Sequence, residues 1–150
     1  MRGVWWSLAV LGGVAAGLPA AFAAQTGPIT ADGAWFRYLL PQIPASGFMM
    51  LHNASAHPVV LTGADSPVCG MAMLHRSVTQ SGVDRMLMVD HVTIPAHGVL
   101  RFAPGGYHIM CMQPKMKPGT TVMVSLSFRN APSLDVPFKV YGADGKPGAK

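Results

Sequence analysis

Beyond the first two dozen residues, no long segment carries apolar positions at helical spacing between helix caps. Short runs rich in β-branched, aromatic and other apolar residues take their place, at 34–40, 48–52, 59–63, 71–78, 84–89, 99–102, 107–112, 120–128 and 134–140. Turn chemistry separates them: Pro41 and Pro44, Asn53-Ala54-Ser55, Ser81-Gly82, Pro95-Ala96-His97-Gly98, Pro104-Gly105-Gly106 and Pro118-Gly119. Eight or nine strands at this spacing predict an all-β chain, a Greek-key β-sandwich of antiparallel strands, with a small barrel or a jelly roll as alternative arrangements.

The start of the chain has a different pattern. Met1-Arg2-Gly3 brings one positive charge, residues 4–18 form an almost uncharged apolar run, and Ala21-Phe22-Ala23 is a small-x-small cleavage signal. A retained membrane anchor needs roughly 20 apolar residues without a cleavage site, whereas this run is shorter, Gly-interrupted and ends at Pro19. The expected organisation is therefore a signal peptide over 1–23, a single β-sandwich domain over 24–140 and a flexible polar tail over 141–150, exported to the periplasm.

A chain of 150 residues supports one substantial core and not two. Apolar residues reach 50% and charged residues only 11%, which argues for folding rather than disorder. Without Arg2, ten basic residues stand against six acidic ones, all Asp, leaving a net charge of about +4. No basic run is interleaved with aromatics, so no nucleic acid is expected as a partner. Paired carboxylates, a Ser/His/Asp grouping and a phosphate loop are likewise missing from the sequence, so no enzyme is expected.

Methionine is the unusual component. Ten of the eleven follow the leader: Met49, Met50, Met71, Met73, Met86, Met88, Met110, Met112, Met116 and Met123. The ordinary role of methionine is to fill irregular gaps in a core, and for most of these positions that is the expectation. Two segments pair methionine with histidine and change it. In 71–89 the only turn signal is Gln80-Ser81-Gly82. A hairpin centred between Gln80 and Ser81 would set His75 opposite Met86 and Met73 opposite Met88, with opposed side chains about 5 Å apart on one face. A one-residue slip would break that pairing, and Met88 or Met73 could then replace Met86. In Tyr107-His108-Ile109-Met110-Cys111, strand alternation puts His108 and Met110 on one face and Ile109 and Cys111 on the other.

Thioethers are soft, uncharged donors, and with imidazole they select copper(I) over zinc, iron or calcium. Methionine sulfur has no proton to lose, so such a site keeps its thioether donors in mild acid, where a thiol must first deprotonate. The expected metal ligands are His75, Met86, His108 and Met110, holding one copper(I) ion. The remaining histidines, His52, His57, His91 and His97, lie in or beside turns and are expected to be solvated.

The spacing His75, ten residues, Met86, twenty-one residues, His108, one residue, Met110 resembles that of the periplasmic copper chaperones of the PCu(A)C family. So do Ser66-Pro67-Val68, Ile94-Pro95-Ala96-His97-Gly98 and Ala103-Pro104-Gly105-Gly106-Tyr107-His108-Ile109-Met110, within a likeness running from about Gly47 to Val140. The resemblance implies a cupredoxin-like sandwich that binds copper(I) through these four side chains. It further implies delivery to a copper-accepting periplasmic or membrane protein, such as a cytochrome c oxidase subunit, or a wider part in copper homeostasis. Many members have Met after the first ligand His, where this chain has Arg76, and some carry a His/Met-rich C-terminal extension with a second copper site, which this tail lacks. One site on a monomer is the expectation.

Cys69 and Cys111 are the only cysteines. In an exported chain the pair is a possible disulfide stapling the two ligand-bearing segments, or else a pair of buried thiols. Two rivals to a copper(I) carrier remain. A blue-copper electron carrier needs a Cys thiolate beside two His and a weak axial Met, but no His follows Cys111 and alternation turns Cys111 away from His108. A structural sandwich without metal would leave the joint His/Met spacing without a role.

Overall fold

The structure is a computed structural model that describes residues 27–147. The leader expected over 1–23 lies outside the described residues. Ten strands and no helix make up the described chain: β1 (Ile29–Arg37), β2 (Ala45–Asn53), β3 (Val59–Asp65), β4 (Met71–Gln80), β5 (Val83–Met88), β6 (Val92–Ile94), β7 (Val99–Phe102), β8 (Tyr107–Met112), β9 (Thr121–Phe128) and β10 (Leu134–Tyr141). All ten join in the order β5-β4-β8-β7-β2-β1-β10-β9-β3-β6. The sheet folds over itself, bringing β3 against β4 and β6 against β2 and β7. The result is the expected β-sandwich.

Strand β2 makes the fold possible by serving two neighbours. Its first residues, Ala45 to Gly47, pair with β8, and Met49 to His52 pair with β7. Its partner β1 begins five residues earlier than the apolar pattern indicates, because Gly33 at φ 59° and a register shift between Asp32 and Trp35 interrupt the alternation. Two pairings depart from the antiparallel expectation: β1 runs parallel to β10, and β7 touches β8 in parallel at Phe102 and Tyr107. Strand β6 was not among the expected runs. Its three residues fit beside β3, with Val92 and Ile94 buried and Thr93 exposed between them.

The core lies between the two layers, around Phe36, Leu51, Leu61, Ile94, Ile109, Val124, Leu126, Val136, Phe138 and Val140. Phe36 and Phe138 meet with ring centroids 4.9 Å apart. Gly47 lets them do so, since a Cβ there would fall 2.7 Å from Phe36 Cε1. Of the ten methionines, only Met49 and Met116 are buried in this core. Gap filling therefore does not account for the other eight.

The C-terminal segment is described as far as Pro147. Strand β10 runs to Tyr141, Gly145 donates its N–H to Gly142 over 2.9 Å, and a Cβ on Gly145 would lie 3.1 Å from Arg37 Nη2 and 3.3 Å from Trp35. Lys146 and Pro147 then line a cavity of about 330 Å³ with Asp32, Trp35, Phe48 and Arg101.

Candidate metal centre

Strand β8 lies between β4 and β2, and the two-residue period sets the direction of its side chains, with His108 buried as well as Ile109. Ile109 and Cys111 are fully buried in the core, while His108, Met110 and Met112 point to the opposite face. On β4 the register carries that face across: His75 pairs with His108, Met73 with Met110 and Met71 with Met112. The two histidines are thus directly opposed, with ring centroids 5.8 Å apart and planes at 82°.

The hydrogen bonds of the two rings explain how they are held. His108 Nδ1 lies 3.1 Å from the Gly106 carbonyl oxygen, which can only accept, so the ring proton sits on Nδ1 and the lone pair on Nε2. That Nε2 is buried and has no partner, and the same is true of His75 Nδ1. Unpartnered buried nitrogens on two facing imidazoles are costly in the apo protein and would be satisfied by a metal ion. A backbone carbonyl fixing the non-ligating nitrogen is also the usual outer-shell device for orienting a metal-binding histidine. Burial, and then the electrostatic influence of His108, hold His75 below the ordinary imidazole range. Its lone pair is therefore available at neutral pH. Phe48 covers His108 on the β2 side, with centroids 6.4 Å apart, and is itself backed by Trp35 at 4.8 Å.

The β4–β5 hairpin departs from the expected register. His75 pairs with Met88, and Ser77 with Met86. The turn is the two-residue pair Ser81-Gly82, with φ of 53° and 74°, so its centre lies one residue later than a turn centred between Gln80 and Ser81. Two positive φ values mark the hairpin turn whose twist matches the strands. Moving the centre by one position displaces the pairing by two residues. Met86 and Met88 consequently stay on the His75 face, Met86 on a diagonal to His75 and Met88 straight across. Met73 faces Met110 rather than Met88. Both β5 methionines are open to solvent, Met86 at 59% and Met88 at 64%.

His75, His108, Met110 and the thioethers of β5 are thus brought to one face at the outer end of the sheet. Among the described residues no three His, Cys, Asp or Glu side chains converge on a metal position. A site here depends on sulfur from methionine. Cys69 and Cys111 are joined in a disulfide with Cα atoms 5.2 Å apart, on the core side of β8. Arg76, where many PCu(A)C proteins have methionine, points to the face opposite His75 and lies over Tyr107 at 5.2 Å. His52 lies on β2, 2.6 Å from Asp32, away from the histidine pair. Sequence reasoning passed over Met71 and Met112 as partners in this face, although Met71-x-Met73-x-His75 and His108-x-Met110-x-Met112 carry the two-residue alternation that places them there.

The family model described as "LpqE-like: Putative lipoprotein LpqE-like" matches residues 29–140, nearly all of the described domain. The chain belongs to the LpqE-like family. A curated relative from Leifsonia xyli subsp. xyli (strain CTCB07), "Putative lipoprotein Lxx21020", is 32% identical over 143 residues, 90% of this chain and 84% of the relative. Among solved structures, the copper-bound PCuAC domain from PmoF2 superposes with a TM-score of 0.66 at 22% identity, over 79% of this chain and 98% of that domain. Apo-DR1885 from Deinococcus radiodurans is 31% identical over 95% of this chain and all of its own, with a TM-score of 0.60. Its copper(I) form gives 32% and 0.59 over 81% of this chain and 83% of its own. This LpqE-like chain therefore has the PCuAC fold, and the resemblance to the PCu(A)C proteins read from its residues stands.

Proposed function

We propose that this LpqE-like protein is a copper(I) carrier of the cell envelope that holds one ion through His75, Met86, His108 and Met110 and passes it to a copper-accepting partner. The observation that carries the reading is the pair of facing imidazoles whose inward nitrogens, His75 Nδ1 and His108 Nε2, are buried without a partner beside thioethers. Neutral imidazole and thioether together suit copper(I), and the low basicity of His75 favours metal over proton. The solved relative described as copper(I)-bound DR1885, at 32% identity, supports the same metal.

Met86 is assigned as the β5 donor on two grounds. It holds the position that the PCu(A)C spacing gives, and the residue opposite it is the small Ser77, itself bonded through its N–H to the Gly106 carbonyl at 3.0 Å. Small groups on that diagonal leave Met86 room to lean over His75 toward His108. Solvent exposure of this donor suits release to a docked acceptor, for which a cytochrome c oxidase subunit is the proposed example. The leader-like pattern of residues 1–23 and the lipoprotein names of the relatives support an envelope location, periplasmic in our reading. Both cysteines are engaged with each other, which supports a carrier without thiolate copper over a blue-copper electron carrier.

Anaerobic titration of copper(I) against a chromogenic chelator tests the assignment. His108→Ala, Met110→Ala and Met86→Leu are each expected to lose at least roughly tenfold to hundredfold in affinity, the range known even for outer-shell partners. Met88→Leu is expected to keep it. Full affinity in the first three would remove the site, and loss in Met88→Leu alone would move the β5 donor by two residues.

A further inference from the structure

We propose that Met71, Met73 and Met112 form a second, all-thioether station for a soft monovalent cation, copper(I) or silver(I), adjoining the histidine pair on the same face.

Strands β4 and β8 align Met71 opposite Met112, Met73 opposite Met110 and His75 opposite His108, three consecutive same-face pairs. Directly opposed side chains have Cβ atoms about 4.5–5.5 Å apart, within reach of a shared ion for a flexible thioether. The Met71–Met112 pair is four residues from the histidines along each strand, about 13 Å at the usual rise per residue. That is too far for one ion to touch both. Met73 and Met110 lie between them and can lean either way.

Packing does not explain these methionines. None belongs to the buried core, and Met71 is 58% exposed, while the intervening Ala72, Leu74, Ile109 and Cys111 supply the inward contacts. Unbranched methionine is also not a residue that strands favour on an outer face. The far end of the ladder is firmly held. The Cys69–Cys111 disulfide and the bond from Gly70 N–H to the Met112 carbonyl, 2.8 Å, fix both strands next to Met71 and Met112. Three soft neutral sulfurs without imidazole or carboxylate would accept copper(I) or silver(I) and refuse zinc or copper(II). With three thioethers and no imidazole the hold is expected to be weaker than at the four-donor histidine site, which fits a station that ions enter or leave.

The inference goes beyond the carrier reading and can fail separately from it. Silver(I) is titrated anaerobically into the mature protein, with the stoichiometry read by native mass spectrometry and the methionine methyl groups followed by NMR. Wild type is expected to take two ions, with the Met71, Met73 and Met112 methyl signals moving in the second phase. Met71→Leu/Met112→Leu should take one, and His75→Ala/His108→Ala should also keep one, bound without imidazole in its X-ray absorption. Saturation of wild type at one ion, or a second phase that leaves those three methyl signals in place, overturns the proposal whether or not the leucine variant folds. Two ions retained by the histidine variant would instead count against the carrier site.

Discussion

At His75 the cost of the site falls on the apo protein. Burial and the neighbouring His108 keep its imidazole below the ordinary range, so between that lowered value and a pH of about 6.5 the unfolded chain binds a proton there that the folded chain does not. Stability contributed by neutral His75 is thus complete above about pH 6.5 and is lost as pH falls through that window. Urea unfolding of the apo protein from pH 5 to 8 should give a midpoint that rises with pH, and His75→Gln should flatten the rise. An unchanged slope in the variant would mean that this ring is not the group being neutralised. That His75, His108 and Met110 share a face was legible in the sequence from the two-residue period of their strands. The roles of the methionines were not. Met49 and Met116 enter the core while Met71, Met73, Met110 and Met112 face outward, and apolarity alone does not distinguish the faces of strands half-covered on both sides.

At the scale of the element, the β4–β5 hairpin sets how the β5 sulfurs meet the histidines. Its turn asks two residues, Ser81 and Gly82, to adopt positive φ. A residue with a Cβ there costs about 1–2 kcal/mol, less for asparagine. Ser81→Asn should therefore stabilise the apo protein by up to about 1 kcal/mol, and Gly82→Val should destabilise it by about 1–2 kcal/mol or more, both measured by chemical denaturation. Copper(I) affinity should survive Ser81→Asn unchanged, since the register is retained. A loss of affinity there would show that the turn is not the pairing's anchor. The turn was legible from its Ser-Gly pair, but its centre was not, because any neighbouring pair of small polar residues suits a hairpin on composition alone. The face of Met86 survived the misplacement because a shift of the turn by one moves the register by two, a full side-chain period.

Across the whole molecule, the sandwich was legible and its closure was not. Nine apolar runs fall on observed strands, yet β6 is three residues long and the parallel contact of β1 with β10 joins the two ends of the domain. Neither leaves a local pattern, since pairing between distant segments depends on which edges remain free after the hairpins form. The even cysteine count pointed to a bridge and kept a pair of buried thiols as the alternative. What joins Cys69 to Cys111 is the route of the chain, which runs from β3 to β4 beside the end of β8, with Lys115 N–H bonded to the Val68 carbonyl at 2.7 Å. The bridge closes a sequence separation of 42 residues, for which loop entropy in the unfolded chain gives about 4 kcal/mol. Cys69→Ala/Cys111→Ala should accordingly lose about 2–4 kcal/mol in denaturant unfolding, as should the wild type under strong reductant. The two cysteines are on the core side of β8 and the donors on the other, so the variant should still bind copper(I) at the histidine pair, as should the reduced wild type, the latter with spectra free of thiolate-to-metal bands. If it instead lost that ion while remaining folded, the disulfide would be setting the approach of β4 to β8 at His75 and His108, and the site would depend on the redox state of its compartment.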